Sequence, residues 1–423
     1  MPRLLIKNAK ALVGTHAAGV AHVPGADMAR LPTMPDAWIL AQDGLIDAMG
    51  PMSEAPPRGP DLVVIDASDR YVLPTWCDPH THVVFAASRE EEFVDKIRGL
   101  SYQEIAARGG GILNSARKLR QMDADTLYTQ AETRLWGMIA QGTGAVEIKS
   151  GYGLTLDSEL KILRVVQRLA QTMPIPIRST LLAAHALPPE FKEDRNAYVD
   201  LIVQELIPQV AAEKLADFVD VFCETNYFTV AEMERILAAG AAYGLPGKVH
   251  VNQFTTIGGI QAAIAHNALS VDHLEVMEEA DIDALARAWD QHGRGPFPTL
   301  LPSCSFFLRI PYGPARQLID RGLPLALATD LNPGTTPSGN MNLVLSLACI
   351  QLRLLPEEAI QAMTLNAAAA MGLSDEVGSL TVGKKANFII TRPVPSLAYL
   401  PYAFGNDHIE TVIIDGRPIR TDR

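Results

Sequence analysis

Hydrophobic residues follow two different patterns along the chain. Toward both ends, short apolar runs alternate with polar turns, as in AWILAQDGLIDAMG and IETVIIDGRPIR. Asp43-Gly44 and Asp415-Gly416 divide these segments, and Asp-Gly between two apolar runs is a strong signal for a β-hairpin. The sequence therefore predicts a small β-sandwich domain that is built jointly from residues 1–67 and 376–423.

Residues 68–375 show the second pattern, in which short apolar runs alternate with longer helical segments. Runs such as AVEIKSGYG and LPLALATDLNPG end in polar or glycine-rich turns, and LDSELKILRVVQRLAQ has helical spacing. Repeated strand–helix units over roughly 300 residues favour a (β/α)8 TIM-like barrel. A doubly wound sheet is the alternative, but the chain has no glycine fingerprint for phosphate binding.

Composition and charge narrow the function classes. Hydrophobic residues make up 48% and charged residues 20%, which is typical of a globular protein. The net charge is −12 without any Lys/Arg run, which argues against nucleic-acid binding. The four cysteines form no CxxC pair, and no apolar run is long enough to span a bilayer. We expect a cytoplasmic protein without nucleic-acid or membrane partners.

Two histidines, His80 and His82, lie one residue apart in DPHTHVVF. In a strand, residues i and i+2 face the same way, so both imidazoles could reach one metal ion. In a helix they would diverge by about 200°, because each residue turns about 100°. The alternative is a pair of hydrogen-bonded histidines at a strand end.

Other polar residues close separate apolar runs farther along the chain. Five of the ten histidines fall in such positions. In a TIM barrel the carboxyl ends of the strands converge on one mouth, where active sites lie. The sequence therefore predicts a site at this mouth. Besides His80 and His82, the residues in question are His185, His250, His273 and Asp330.

Several segments carry a family resemblance that covers nearly the whole chain. They are DPHTHVVFAASREEEF, SYQEIAARGGGI, EIKSGYGL, AAHALPPE, HVNQF, SVDHLE and ATDLNPGT. These segments resemble the imidazolonepropionase family, within the amidohydrolase superfamily. The resemblance implies a barrel of the metal-dependent hydrolase type, one Zn²⁺ or Fe ion per chain and a homodimer.

The resemblance also implies the metal ligands. These are His80, His82, His250 and Asp330, a donor set that suits Zn²⁺ or Fe. Such a metal lowers the pKa of bound water, whose proton Asp330 can accept. The alternative for Asp330 is a cap on the following loop. In some superfamily members a carboxylated lysine bridges two metals. The resembling family is mononuclear, so the resemblance implies that Lys149 is structural or a charge behind the ligands.

His273 corresponds to a family histidine near the metal, where it would bond the hydrolytic water or shuttle a proton. The alternative is that His273 lies near the metal but takes no part in a chemical step. Whether Asp330 or His273 accepts the proton stays open at this point.

Family positions that contact 4-imidazolone-5-propanoate also match. Arg89 would bind the propanoate through two parallel hydrogen bonds, although alone it would pass for a surface arginine paired with residues 90–92. The turn after Asp330 could present backbone N–H groups to a carboxylate, and ordinary turn chemistry for Asn-Pro-Gly is the alternative. The remaining predicted substrate contacts are Tyr152, His185, Gln253, Asn332, Gly334 and Thr335.

Gln253 helps to distinguish ring hydrolysis from deamination. Related deaminases carry a proton-shuttling glutamate three positions after the strand histidine, and here an amide stands there. An amide cannot donate a proton in this way, but it can orient a ring. The residues therefore favour ring hydrolysis to N-formimidoyl-L-glutamate over a deaminase or another cyclic-amide hydrolase. A catalytically inactive scaffold is disfavoured, because all four ligands are present.

Overall fold

The computed structural model of the protein describes residues 3–57, 62–100, 104 and 110–419. Most of the segment SYQEIAARGGGI, at positions 101–112, lies outside the described residues. The described chain contains two eight-stranded sheets, one from the termini and one from the middle.

The strands of the terminal sheet are β1 Arg3–Val13, β2 Thr33–Gln42, β3 Leu45–Pro51, β4 Leu62–Asp66, β5 Tyr71–Pro74, β14 Phe388–Thr391, β15 Ile409–Ile414 and β16 Arg417–Ile419. The sheet is mixed and follows the order β16-β15-β14-β5-β1-β2-β3, while β4 also pairs with β1. Asp43 and Gly44 have φ of 52° and 83°, and Asp415 and Gly416 have φ of 47° and 70°. Both predicted hairpins are confirmed, because two successive positive φ angles are those of a type I′ turn.

Apolar side chains cover both faces of the terminal sheet. Ile6 and Ile39 belong to one buried cluster, whereas Leu5 and Leu40 belong to another. The residue borders of the predicted domains remain a proposal. The strand β5 lies after the proposed border at residue 67, yet it pairs with β1 and β14 of the terminal sheet.

The middle sheet consists of parallel strands in chain order, as a (β/α)8 barrel requires. A parallel bridge between Thr81 and Leu331 closes it. There the Asp330 N–H donates to His80 O at 3.0 Å, and the His82 N–H donates to Leu331 O at 2.8 Å. The predicted barrel is confirmed. Its strands are β6 Trp76–Thr81, β7 Thr143–Lys149, β8 Ile177–Ala184, β9 Phe218–Cys223, β10 Gly247–Val251, β11 Ser270–His273, β12 Phe297–Leu300 and β13 Ala326–Leu327.

Helices follow most barrel strands, and two of the helices that do so begin with a side-chain cap from threonine. Thr155 accepts from the Ser158 N–H, and Thr229 forms a capping box with Glu232. None of the described helices is long and apolar enough to cross a membrane. In the part of the chain that the structure describes, the α-helices with defined bounds are Glu90–Ile97, Ile112–Gln121, Ala124–Ala140, Leu156–Thr172, Arg195–Leu201, Ile207–Glu213, Val230–Ala242, Gly259–Ala265, Glu279–His292, Pro302–Leu308, Ala315–Asp320, Met341–Ile350, Pro356–Met363, Leu365–Ala370 and Tyr399–Tyr402.

Candidate metal centre and active site

The four predicted metal ligands lie together at the carboxyl ends of the barrel strands. Ligand atoms of His80, His82 and His250 all lie within 4.8 Å of one another. Asp330 Oδ1 lies 3.6 Å from His80 Nε2 and 3.7 Å from His82 Nε2. All four side chains are buried. Barrel closure produces this arrangement, because it joins the end of β6 to the segment that carries Asp330.

Carboxylates outside the ligand group orient two of its imidazoles. His80 Nδ1 lies 2.7 Å from Asp272 Oδ2, and His250 Nδ1 lies 3.0 Å from Asp220 Oδ1. A carboxylate only accepts, so each Nδ1 carries the proton and each Nε2 keeps its lone pair. Both Nε2 atoms are buried without a hydrogen-bond partner among the described residues. Burial, together with neighbouring His250 and His185 respectively, lowers the pKa of His80 and His82 well below the usual range.

These observations fit a metal ion. Imidazole binds a metal only in its neutral form, which the lowered pKa values favour. Three imidazole nitrogens and one carboxylate oxygen are donors that suit Zn²⁺ or Fe. The two unpartnered Nε2 atoms provide an independent observation, since buried polar atoms are rarely left without a partner.

Lys149 lies behind the ligand group in a buried network of charges. Its Nζ is 2.6 Å from Glu147 Oε1, 2.7 Å from Asp220 Oδ2 and 3.5 Å from Asp272 Oδ2. Burial alone would lower the pKa of Lys149, but the three carboxylates outweigh burial and raise that pKa. Lys248 also donates to Glu147. Lys149 thus holds the two carboxylates that orient His80 and His250.

His273 and Asp330, which line the same cavity, both have unusual backbone conformations. Their φ angles are 86° and 59°, in the left-handed region that side chains other than glycine rarely adopt. Such strain persists only where the surrounding structure imposes it, and it clusters at active sites. His273 Nδ1 lies 3.3 Å from Glu275 Oε1, and Asp330 Oδ2 accepts from Thr335 Oγ1 at 3.3 Å.

A cavity of about 1530 Å³ opens above the ligand group. His80 lies beneath it, fully buried, and Gly334 contacts the Arg89 side chain at its edge. Ten of the twelve predicted site residues line this cavity: His82, Arg89, Tyr152, His185, His250, Gln253, His273, Asp330, Asn332 and Thr335.

Arg89 is buried at the cavity wall instead of lying on the surface. Its Nε and Nη2 donate to Glu92 Oε2 at 2.8 and 2.6 Å. A Cβ at Gly334 would clash with Arg89 Nη1, so any larger residue there would displace the guanidinium from its present position. The sequence interpretation missed Lys96, whose Nζ donates to Gly334 O at 3.3 Å and which also lines the cavity. The signal was its spacing of seven residues from Arg89, about two helical turns.

Aromatic rings form another part of the cavity wall. The His185 ring stacks on the His82 ring at 5.2 Å between centroids, and the Tyr152 ring lies 5.3 Å from His185. His185 Nδ1 lies 3.0 Å from the Gly151 carbonyl oxygen, so it donates there. Burial, with His250 nearby, lowers the pKa of His185 to about 3, which keeps this imidazole neutral.

The turn after Asp330 differs from its expected arrangement. The N–H groups of Gly334 and Thr335 both donate to Asn332 Oδ1 at 2.8 Å. The expectation that they are presented to a carboxylate is therefore not met in this conformation, because the Asn332 side chain already accepts both bonds. Asn332 Nδ2 donates to Asp330 O at 2.7 Å, so the turn fixes the ligand aspartate.

Gln253 lines the cavity just after the end of β10. Its Nε2 is 3.6 Å from Cys304 Sγ, a weak acceptor. With the amide nitrogen directed there, the carbonyl oxygen of Gln253 is the atom left for a hydrogen-bond donor in the cavity. Gln253 supplies no acidic group at this position, and its contact with a substrate ring remains a proposal.

Comparison with known proteins identifies the family. The model of the amidohydrolase family matches residues 71–419. An imidazolonepropionase of Flavobacterium johnsoniae is 54% identical over 98% of this chain and 99% of its own length. The chain belongs to the imidazolonepropionase family. The resemblance inferred from the sequence is thereby confirmed, and the chain is an amidohydrolase-type enzyme.

Further comparisons agree with membership in the imidazolonepropionase family. An imidazolonepropionase of Christiangramia forsetii is 51% identical, over 98% of this chain and 100% of its own length. A crystal structure of an adenosine deaminase from Xanthomonas campestris with bound zinc has a TM-score of 0.69 at 18% identity, covering 98% of this chain and 92% of that one. The latter likeness shows the shared fold alone.

Proposed function

We propose that this enzyme hydrolyses the ring of 4-imidazolone-5-propanoate to N-formimidoyl-L-glutamate, a step of histidine degradation. The observation that carries the proposal is one cavity that combines a four-ligand metal group with a buried arginine. The ligand group lies at its floor, and Arg89 lies at its wall. A ring carbonyl and a carboxylate tail, on one small molecule, would match these two features. The family relatives are named for this substrate.

The proposed centre holds one Zn²⁺ or Fe ion per chain on His80, His82, His250 and Asp330. Such an ion would supply a bound water of lowered pKa and polarise the ring carbonyl. Asp330 Oδ2, fixed by Thr335 Oγ1 at 3.3 Å, would accept the proton of that water. Asp330 would then transfer this proton to the ring nitrogen as the C–N bond breaks. His273 is the second acceptor within the site.

The cavity wall would fix the rest of the substrate. The propanoate would pair with Arg89, whose guanidinium Glu92 holds in one orientation, and with Lys96. Tyr152, His185 and Gln253 would contact the ring. Such positioning lowers the barrier by holding water and carbonyl in one geometry.

Removing the Arg89 side chain tests the proposed carboxylate contact. In Arg89→Ala we expect the KM for imidazolone-propanoate to rise about 10- to 100-fold, because a charge-assisted hydrogen bond contributes about 1.5–3 kcal/mol. The kcat should change much less, since the tail lies away from the reacting carbonyl. Steady-state kinetics measures both constants. Arg164→Ala, which removes an exposed ion pair with Glu213, is the control; an equal KM in both variants would refute the assignment.

Product analysis separates ring hydrolysis from deamination. We expect the enzyme to consume fresh 4-imidazolone-5-propanoate and to release N-formimidoyl-L-glutamate without ammonia, because Gln253 offers no proton to a departing amine. Mass spectrometry and an ammonia assay measure the two outcomes. Release of ammonia in proportion to substrate consumed would instead support a deaminase.

We also propose a homodimer that works in the cytoplasm without nucleic-acid partners. The net charge of −12 supports the absence of nucleic-acid partners, since nucleic-acid binding needs a basic surface. Light scattering of the purified enzyme tests the dimer, and a single-chain mass would exclude it.

A further inference from the structure

A second group of potential metal ligands lies beside the first. Ligand atoms of His273, Glu275 and Cys304 lie within 4.8 Å of one another. They come from the end of β11, from the segment after it and from the helix Pro302–Leu308. Each of the three residues is at most 4% exposed. Imidazole, carboxylate and thiolate together suit Zn²⁺, and the sulfur favours softer cations still.

Glu275 provides an independent indication that a cation could bind to this group. Its Oε1 accepts from Ser305 Oγ at 3.4 Å and lies 3.3 Å from His273 Nδ1. Its Oε2 is buried without a hydrogen-bond partner among the described residues. A buried carboxylate oxygen without a donor or cation is costly, so the group is favourable to a positive charge.

We propose that His273, Glu275 and Cys304 form a second cation site, which takes a thiophilic divalent cation such as excess Zn²⁺ and thereby slows hydrolysis. On binding, the metal forms bonds to the Cys304 sulfur, to a Glu275 oxygen and to the His273 ring nitrogen that carries no proton, and the thiol proton leaves to solvent. No oxidant or reductant takes part. The inhibition rests on the proposed function, whereas the binding does not.

The position of the site explains why filling it would inhibit. The His273 ring centroid lies 5.3 Å from that of His250 and 5.6 Å from that of His80, both ligands of the first group. A cation bound to His273 would remove its lone pair from proton exchange. It would also draw Cys304 away from Gln253, whose Nε2 lies 3.6 Å from the sulfur.

Cadmium provides a probe that distinguishes the two sites. The first group contains no sulfur, so a thiolate-to-metal absorption band in the ultraviolet reports only a site with cysteine. Zinc-loaded full-length enzyme is titrated with Cd²⁺ while this band and the bound metal are measured. We expect the band to saturate at one Cd²⁺ per chain in the wild type. It should vanish in Cys304→Ala and persist in Cys349→Ala, which alters a partly buried cysteine outside the group.

Glu275→Gln keeps the thiol and removes the carboxylate charge, so it tests the site without loss of the absorbing group. We expect its Cd²⁺ affinity at this site to fall at least tenfold. Should Cys304→Ala fail to fold, Cys304→Ser replaces it. The proposal is overturned if the wild type shows no thiolate band, or if the band survives in the Cys304 variant.

The inhibition is measured separately, on hydrolysis of imidazolone-propanoate. Saturating excess Zn²⁺ should lower the wild-type kcat/KM about tenfold, the largest effect expected from loss of His273, and Cys304→Ala should resist it. Equal inhibition of both proteins would overturn the regulatory part. An enzyme that binds Cd²⁺ at Cys304 but never consumes this substrate would refute the proposed function and leave the second site standing.

Discussion

Replacement of Asp330 by asparagine is expected to lower kcat/KM by a factor of about 10³, because the side chain has two tasks in the proposed reaction. Its Oδ1 lies 3.6 Å from His80 Nε2 within the ligand group, while Thr335 Oγ1 fixes its Oδ2. An amide retains the shape but cannot accept the proton of the attacking water. Steady-state kinetics on metal-reloaded variant measures the loss, and metal analysis shows how much of it reflects lost metal.

Two comparisons make this result specific. Asp125→Asn changes an exposed aspartate that pairs with Arg168, so its kcat/KM should stay at the wild-type value. His273→Gln should lose about tenfold at most, since Asp330 is the proposed acceptor. A larger loss in His273→Gln than in Asp330→Asn would transfer the proton-accepting role to the histidine.

Replacement of Lys149 by methionine is expected to destabilise the metal-free enzyme by about 3–5 kcal/mol, because it leaves buried carboxylates without their counter-charge. It should also weaken Zn²⁺ binding by about 10- to 100-fold, the usual effect of losing support outside the ligand shell. The path is direct, since Lys149 contacts Asp220 and Asp272, which hold His250 and His80.

Urea unfolding of metal-free protein and chelator competition for Zn²⁺ measure these two effects. Lys385→Met is the matched control, because it removes a partly exposed pair with Asp415 that contributes about 0–1 kcal/mol at most. If both variants unfold at the same urea concentration and bind Zn²⁺ equally, Lys149 does not organise the centre.

The ligand residues were predictable because each leaves a local trace. His80 and His82 show strand spacing, and His250 and Asp330 each close an apolar run. The parallel strands of a barrel then bring such positions to one mouth. The family resemblance selected these four among the other polar residues at strand ends.

The partners of the ligands left no such trace. Asp272 accepts a hydrogen bond from His80, a metal ligand 192 residues away in sequence. Likewise, Cys304 contacts Gln253, a predicted substrate contact 51 residues away. These contacts depend on the strand register of the closed barrel, which no local spacing encodes. The turn after Asp330 shows a related limit. Its composition indicated free N–H donors, whereas in the fold the Asn332 side chain accepts from two of them.

The central claim is that one metal ion per chain on this ligand group enables ring hydrolysis. The most direct test adds Zn²⁺ or Fe²⁺ in measured amounts to metal-free enzyme and follows N-formimidoyl-L-glutamate formation from 4-imidazolone-5-propanoate. The account predicts negligible product without metal and a linear rise that ends near one ion per chain. Full product formation by metal-free enzyme, or none at any metal content, would contradict it.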